Sequence, residues 1–304
     1  MKTDRDLLTC FEQGLDPVNL HKSAIPVSVL GYGEISTVLQ VGEDHSMAYK
    51  RMPLFSDSAA AERYIEPYYE YCRLLTEAGL KLPESETFIV EVPDRPVVLY
   101  IAQKKLPPER VGHMLVHSLD QPDFERLIDL IHSEIIKVWS FNKSHKPAQE
   151  LALDGQLSNW VWLDEDQIYY IDTSTPIFRK NGVEQLDAET VIKKAPFFFR
   201  FIVRWFLKDT IINRYYDPRQ VRIDLAANLF KEQRPDLIPS TLEIINRRLP
   251  ADLAPLTLKE VEKYYREDRL IWVLVQTMRL TDRWFTTKIL RRRYIDILPG
   301  KIKR

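Results

Sequence analysis

The chain has 304 residues, of which 45% are hydrophobic and 29% are charged, and its 43 Lys and Arg nearly balance its 44 Asp and Glu. This composition is typical of a folded protein with a large core, and its charge balance gives no reason to expect a specific nucleic acid partner. The two cysteines, Cys10 and Cys72, are too few for a disulfide framework and lack zinc-site spacing, which indicates a reducing compartment. Neither a signal peptide nor an apolar run of about 20 residues is visible, so we expect a cytoplasmic protein.

The first third of the chain is predicted to consist of strands and one helix. Two β-branched runs flank a pair of glycines, as in a β-hairpin, and further runs are bounded by turn residues. The predicted strands span residues 25–30, 35–41, 47–52, 88–92 and 96–102. Tyrosines and leucines at helical spacing predict a helix over residues 58–79, with a kink or break at Pro67.

Beyond Lys105 the pattern becomes mainly helical. Residues 124–141 have the spacing of an amphipathic helix, and three short apolar segments follow at 151–154, 160–163 and 168–171. The remaining predicted helices span 188–216, 219–231, 240–248, 257–267 and 268–290. Strands followed by helices indicate an α+β fold, with a β-rich N-terminal unit over residues 1–104 and a larger helical unit over 105–304.

A glycine pair and a lysine are the first candidates for chemistry. Gly31 and Gly33 lie at the predicted hairpin tip, where backbone N–H groups can bind phosphate oxygens, although an ordinary turn explains two glycines equally well. Lys50 lies one strand later, which would place its ammonium under the turn. A cation held there can pair with nucleotide phosphates.

A polar loop between short apolar segments carries the strongest signal. Asp154 and Asn159 lie five residues apart in this loop, and Asp172 follows the next apolar segment thirteen residues after Asn159. A carboxylate and an amide supply the oxygen ligands that magnesium prefers, and a second carboxylate can accept a proton from a hydroxyl. Each residue taken singly is an ordinary turn residue, but their order behind the glycine pair and the lysine points to a common site.

These motifs together resemble the protein-kinase-like superfamily, and most nearly its small-molecule kinases of the aminoglycoside phosphotransferase and choline kinase type. The catalytic loop of that branch reads His-Gly-Asp-xxxx-Asn, and a metal-binding Asp follows at about the interval found here. Residues 72–83 are also similar to the helix end and Ala-Gly-Leu-x-x-Pro exit of that branch. The resemblance covers roughly residues 25–175. It implies a two-lobed fold, with a small antiparallel-sheet N-lobe containing one helix and a larger, mainly helical C-lobe.

The resemblance also implies roles for individual residues around ATP and Mg²⁺. The backbone of Gly31, Gly33 and Ser36 would cover the phosphates, and Lys50 would hold them. A helix glutamate, Glu66 or preferably Glu70, would orient Lys50, and Gln103 would lie near the adenine. The remaining assignments are Asp154 as catalytic base and Asn159 and Asp172 as magnesium ligands.

Three departures from the family pattern leave more than one function open. Ala152 replaces the usual histidine, Ser36 replaces the third loop glycine, and Asp172 is followed by Thr173-Ser174. We expect ATP- and magnesium-dependent phosphoryl transfer to a hydroxyl of a small molecule. The alternatives are a catalytically inactive nucleotide-binding or scaffolding protein, and an enzyme that transfers a nucleotidyl group.

Two further segments bear on partners. The aromatic run at 196–207 predicts a buried helix or, alternatively, a membrane- or lipid-facing surface. Residues 283–304 contain eight Lys or Arg and one Asp, which is compatible with a solvated end or with peripheral contact to an anionic membrane. The sequence leaves the oligomeric state open.

Overall fold

The computed structural model of the chain describes residues 5–33, 36–164, 167–187, 212–250 and 253–298, without the side chain of Leu54. The aromatic run at 196–207, most of the helix predicted over 188–216 and the basic residues 301–304 lie outside the described residues. The same holds for Glu34 and Ile35 at the predicted hairpin tip.

The N-terminal part contains a five-stranded antiparallel sheet with the strand order β1-β2-β3-β5-β4. The strands are β1 Val27–Tyr32, β2 Thr37–Val41, β3 Met47–Phe55, β4 Ser85–Val90 and β5 Val97–Lys104. All five strands were expected from the sequence, but β3 runs past Pro53. The register between β3 and β5 shifts between Met52 and Phe55, and such an irregularity accommodates a proline that has no N–H for the ladder.

Helix α2 (Ser58–Glu77) packs on one face of this sheet. Its N-terminus is capped by Asp57, whose carboxylate accepts a hydrogen bond from the N–H of Ala60. Of the kink and the break that the sequence predicted at Pro67, the break was wrong, because one continuous helix spans this residue. Tyr64 and Tyr68, on the two sides of Pro67, are buried in the same core against the sheet. Tyr71, further along the helix, is buried in the main core of the C-terminal part.

The opposite face of the sheet is covered by a helix that the sequence did not predict, α1 (Arg5–Gly14), and by the segment 291–298. Leu8 and Phe11 of α1 share a core with Ile297. Thr37 also donates a hydrogen bond to the carbonyl oxygen of Ile297. The sheet is therefore covered on one side by elements from both ends of the described chain.

The C-terminal part is mainly helical. Its helices are α3 Gly112–Leu115, α4 Gln121–His145, α5 Ile212–Tyr216, α6 Pro218–Lys231, α7 Ile238–Arg247 and α8 Leu258–Trp284. Helix α8 replaces the two separate helices predicted over 257–267 and 268–290, and a π-helical turn, Phe285–Ile289, continues it. Within the described residues, no helix is both long and apolar enough to cross a membrane.

Short strands inside this part position the polar loop. A three-stranded sheet contains β6 (Gln149–Leu151), β9 (Phe178–Lys180) and β10 (Val183–Glu184), in the order β10-β9-β6. Strands β7 (Trp160–Asp164) and β8 (Gln167–Tyr170) form an antiparallel pair. Their apolar side chains join those of α4 and α6 in the main core, so the fold is a mixed α/β fold with an antiparallel sheet and a helical C-terminal part.

Candidate functional site

Lys50 extends from the middle of β3 toward the end of β8. Its side chain is buried, and its ammonium Nζ donates to the carbonyl oxygen of Ile171 at 2.5 Å and lies 3.7 Å from Oδ1 of Asp172. Burial lowers the pKa of Lys50, and the carboxylate of Asp172 opposes that shift. The structure thus joins two predicted site residues that are 122 positions apart in the sequence.

The carboxylate of Asp172 is fixed from two sides. The Ser174 hydroxyl donates to Asp172 Oδ1 at 3.0 Å, so this contact and that of Lys50 use the same oxygen. Tyr64 of α2 donates its hydroxyl to the carbonyl oxygen of Ser174 at 2.7 Å. Helix α2 therefore holds the segment after β8 through a buried tyrosine.

Asp154 and Asn159 lie in one compact loop between β6 and β7. The Asp154 carboxylate accepts hydrogen bonds from the backbone N–H of Gln156 at 3.1 Å and from its side-chain Nε2 at 3.2 Å. Asn159 donates through Nδ2 to the Asp154 carbonyl oxygen at 3.2 Å, and its own carbonyl accepts from the N–H of Ile171 at 2.9 Å. These bonds connect the loop directly to the residue before Asp172.

Helix α6 packs against the loop of Asp154 and Asn159, a contact that the sequence did not predict. Asn228 accepts the buried N–H of Leu157 through Oδ1 at 3.2 Å. A side chain at Gly155 would lie 2.8 Å from Val221 Cγ1, so only glycine permits this approach of the loop to α6. The available signal was a pair of polar residues, Asp224 and Asn228, one helical turn apart in the otherwise apolar stretch 223–230 of this helix.

Asp224 brings a second carboxyl group to Asp154. Burial raises the pKa of Asp154, and the nearby charges of Asp224 and Asp172 raise it further. Asp224 is itself buried and is hydrogen bonded to Asp154, and its pKa is also raised by burial. Lys231 lies 3.9 Å from Asp224 and 3.0 Å from Asp268, which partly compensates this acidic group. Asp154 is thus a carboxyl group with increased proton affinity.

The expected pairing of Lys50 with Glu70 is wrong. Glu70 contacts Arg73 at 2.9 Å and Lys180 at 3.1 Å, and the hydrogen bonds from Arg73 lower its pKa to about 2. The α2 side chain that lies near Lys50 is instead Cys72, whose thiol has a pKa raised by burial. The cause is the helical register: Glu70 lies on the side of α2 that faces β9, where Lys180 is located.

The glycine hairpin is closed by its own backbone. The N–H of Gly33 donates to the carbonyl oxygen of Ser36 at 2.9 Å, and Gly31 pairs with Val38 across β1 and β2. A Cβ atom at Gly33 would lie 3.0 Å from Ser36 Oγ, so close packing inside the turn accounts for this glycine. In this arrangement the Gly33 N–H is engaged within the protein and does not point to a phosphate site.

Gln103 lies on the same face of the sheet as Lys50. In the antiparallel register Lys50 is opposite Ile101 and Ala48 is opposite Gln103, so these four side chains share one face. Gln103 is buried, and its Nε2 has no hydrogen-bond partner among the described residues. An unsatisfied buried amide costs about 1–3 kcal/mol, which a bound polar ligand would relieve.

Cavities of about 370 and 300 Å³ are present in the described part of the chain, and the larger borders the site through Cys72 and Thr173. The larger is lined by residues of α2 and the start of β4 together with Thr173, and none of the predicted site residues lines either cavity. Over the described part of the chain, no group of three or more His, Cys, Asp or Glu side chains is arranged to hold a metal ion. A cation at Asn159 and Asp172 would therefore need further ligands from a substrate.

Comparisons with known proteins give one sequence family. No curated protein matches the chain. The solved structure of WaaP in complex with acyl carrier protein is similar over 84% of this chain and 88% of that chain, at 11% sequence identity and a TM-score of 0.36. Both values are too low to transfer a function. A family described as "Family of unknown function (DUF6206)" matches residues 18–283, and the chain therefore belongs to the DUF6206 family.

Proposed function

We propose that the protein is an ATP- and magnesium-dependent phosphotransferase whose acceptor is a hydroxyl group of a small molecule. One observation carries this proposal: the ammonium of Lys50 meets Asp172 at 3.7 Å, and Asp172 is linked through Ile171 to the loop of Asp154 and Asn159. In the proposed two-lobed arrangement, residues 1–104 form the small lobe and residues 105–304 the large lobe.

The side chains at this site fit magnesium and a nucleotide. Asn159 and Asp172 would hold the metal through an amide and a carboxylate oxygen, the hard ligands that magnesium takes together with phosphates and water. Magnesium, when bound, neutralises charge on the phosphates. Lys50 supplies a fixed positive charge, and the unpartnered amide of Gln103 on the same face of the sheet is available to a polar nucleotide base.

Asp154 supplies the base in this proposal. Its carboxylate takes the proton of the acceptor hydroxyl while the hydroxyl oxygen forms its bond to the γ-phosphorus, and the bond from that phosphorus to ADP breaks. The raised pKa of Asp154, which burial and the charge of Asp224 produce, increases the proton affinity of this carboxylate. Hydrogen bonds from Gln156 orient it.

Two observations favour a catalytically inactive relative as the second candidate. The described part of α2 brings no carboxylate to Lys50, whose ammonium instead donates to the carbonyl oxygen of Ile171. The N–H of Gly33 is likewise engaged in closing its own hairpin. Such a protein would bind nucleotide, through Lys50 and Gln103, without transferring phosphate.

The test combines thermal shift and product analysis on the full chain. ATP with magnesium should raise the melting temperature, since a ligand that binds only the folded state stabilises it by mass action. Incubation with a panel of hydroxyl-bearing metabolites should then release ADP, whereas release of pyrophosphate would indicate nucleotidyl transfer.

Two variants assign the roles. Asp154→Asn should reduce turnover by about 10²–10⁴-fold, the usual contribution of a general base, while the thermal shift persists. The matched control is Asp164→Asn, an exposed aspartate at the end of β7, which should retain full turnover. Absence of any nucleotide-induced shift in the wild type contradicts both candidates, and a shift without turnover supports the inactive one.

A further inference from the structure

The C-terminal half of α8 exposes a row of large apolar side chains. Leu270, Val273, Leu280 and Trp284 are 71%, 55%, 58% and 57% exposed. At 100° per residue these four positions lie within an arc of roughly 80° on one face of the helix. The row continues beyond the helix with Ile289, which is 54% exposed. Several large apolar side chains exposed on one helix face are typical of an interaction site.

The end of this row, residues 280–293, carries a concentration of positive charge. It contains five basic side chains, Arg283, Lys288, Arg291, Arg292 and Arg293. Within the described residues, none of the five forms an ion pair. The segment has one acidic residue, Asp282, whose side chain is hydrogen bonded to Tyr294. With five basic residues and one acidic residue, the segment has an excess of positive charge beside the apolar row.

A cavity of about 300 Å³ beside this segment has more basic than acidic residues in its lining. Four arginines line it: Arg51, Arg95, Arg292 and Arg293. Glu12 also lines it but is engaged by Arg51 at 2.6 Å, and Asp94 is the other acidic residue there. Burial lowers the pKa of Arg95, and the positive charge of Arg293 lowers it further. Anionic groups near this cavity would relieve the repulsion between its arginines.

We propose that residues 280–293 form a membrane-binding segment that attaches the protein peripherally to the surface of an anionic lipid bilayer. Trp284 and the neighbouring apolar side chains would enter the boundary between headgroups and acyl chains, and the flanking cations would contact lipid phosphates. The charge distribution favours a bilayer over a second copy of this chain. A twofold contact through Trp284 would bring two sets of five cations together, whereas an anionic membrane compensates them.

Vesicle co-sedimentation of the full chain tests this proposal without reference to nucleotide. The probes are vesicles of phosphatidylcholine alone and of equal parts phosphatidylcholine and phosphatidylglycerol. The wild type should sediment with the anionic vesicles, only weakly with the neutral ones, and less at high salt, because salt screens the attraction. Soluble phosphatidylglycerol headgroup, glycerol phosphate, should not compete at concentrations equal to that of the lipid.

Two variants within the segment should weaken binding, and two at the start of α8 should not. Lys288→Glu changes the charge of the segment by two units. At about 1 kcal/mol per unit charge near the surface, this change should lower the affinity for anionic vesicles about 30-fold. Trp284→Ala removes the largest apolar contact and should lower affinity about tenfold. The controls change exposed residues in the first turn of α8 and should bind like the wild type: Lys259→Glu is the same charge reversal, and Leu258→Ala truncates a smaller apolar side chain.

Three results would overturn the proposal. The first is equal sedimentation with neutral and anionic vesicles, and the second is unchanged binding of both segment variants. The third is a dimer of the wild type in sedimentation velocity that Trp284→Ala dissociates. In that case the apolar row is a contact between two copies of the chain and not a membrane contact.

Discussion

A buried histidine provides the sharpest test of how the helical part is stabilised. His132 of α4 is 0% exposed, and its Nε2 accepts a hydrogen bond from Nε of Arg222 in α6 at 2.9 Å. Because a protonated imidazole has no acceptor nitrogen, this bond requires neutral His132. Burial, followed by the positive charges of Arg222 and Arg248, lowers the pKa of His132 to about 3.

The sign of the resulting pH dependence follows from proton binding. The ordinary pKa of histidine is 6.5, so below that pH the unfolded chain protonates this residue while the folded protein does not. Unfolding then takes up a proton, and stability falls as the pH decreases from 6.5 toward about 3. At about 1.4 kcal/mol per pH unit, His132 should reduce the free energy of unfolding by about 2 kcal/mol between pH 6.5 and pH 5.

The perturbation is His132→Gln, which retains an acceptor oxygen for Arg222 but does not titrate. Urea unfolding of the wild type and the variant, measured in steps from pH 7.5 to pH 5, gives the free energy of unfolding at each pH. Subtracting the two curves cancels the carboxylates and the other histidines. The reasoning is refuted if the difference between the curves stays constant over this range, or if the wild type gains stability relative to the variant as the pH falls.

Two further substitutions test packing around the sheet and the loop. Glu12→Gln removes the charge that pairs with buried Arg51 and should lower the free energy of unfolding by about 3–5 kcal/mol in a urea titration. The control Glu243→Gln removes one charge of an exposed ion pair and should lower it by less than about 1 kcal/mol. Asn228→Ala leaves the buried N–H of Leu157 without its acceptor, which should lower the free energy of unfolding by about 1–3 kcal/mol. The same variant should reduce the proposed phosphate transfer more than nucleotide binding.

Local patterns were sufficient to predict most elements of the fold. Alternating and β-branched residues between turn signals gave all five strands of the first sheet, and the spacing in α4 and α6 gave those helices. The prediction missed α1, a helix of only ten residues whose buried face includes Glu12, because the partner of this carboxylate, Arg51, is distant in the sequence. It also divided α8 in two, because the exposed apolar residues in the second half of α8 interrupt the usual amphipathic pattern.

The candidate site was predictable where it depends on spacing and unpredictable where it depends on side-chain direction. The intervals from Asp154 to Asn159 and Asp172 identified residues that the fold ties together. The partner of Lys50 was not identifiable, since glutamates at 66 and 70 both fit the sequence and only the register of α2 decides which side each faces. The support from Asp224 and Asn228 arises more than 60 residues after the loop, beyond the reach of any local pattern.

The position of Ile297 on the first sheet has a consequence for biosynthesis. The last strand of that sheet ends at Lys104, yet the apolar face opposite α2 is completed by a residue made 193 positions later. At about 5–20 residues per second, a ribosome needs roughly 10–40 s to cover that distance. During this interval part of the apolar face of the nascent sheet is exposed to solvent, and this face is a surface to which chaperones can bind.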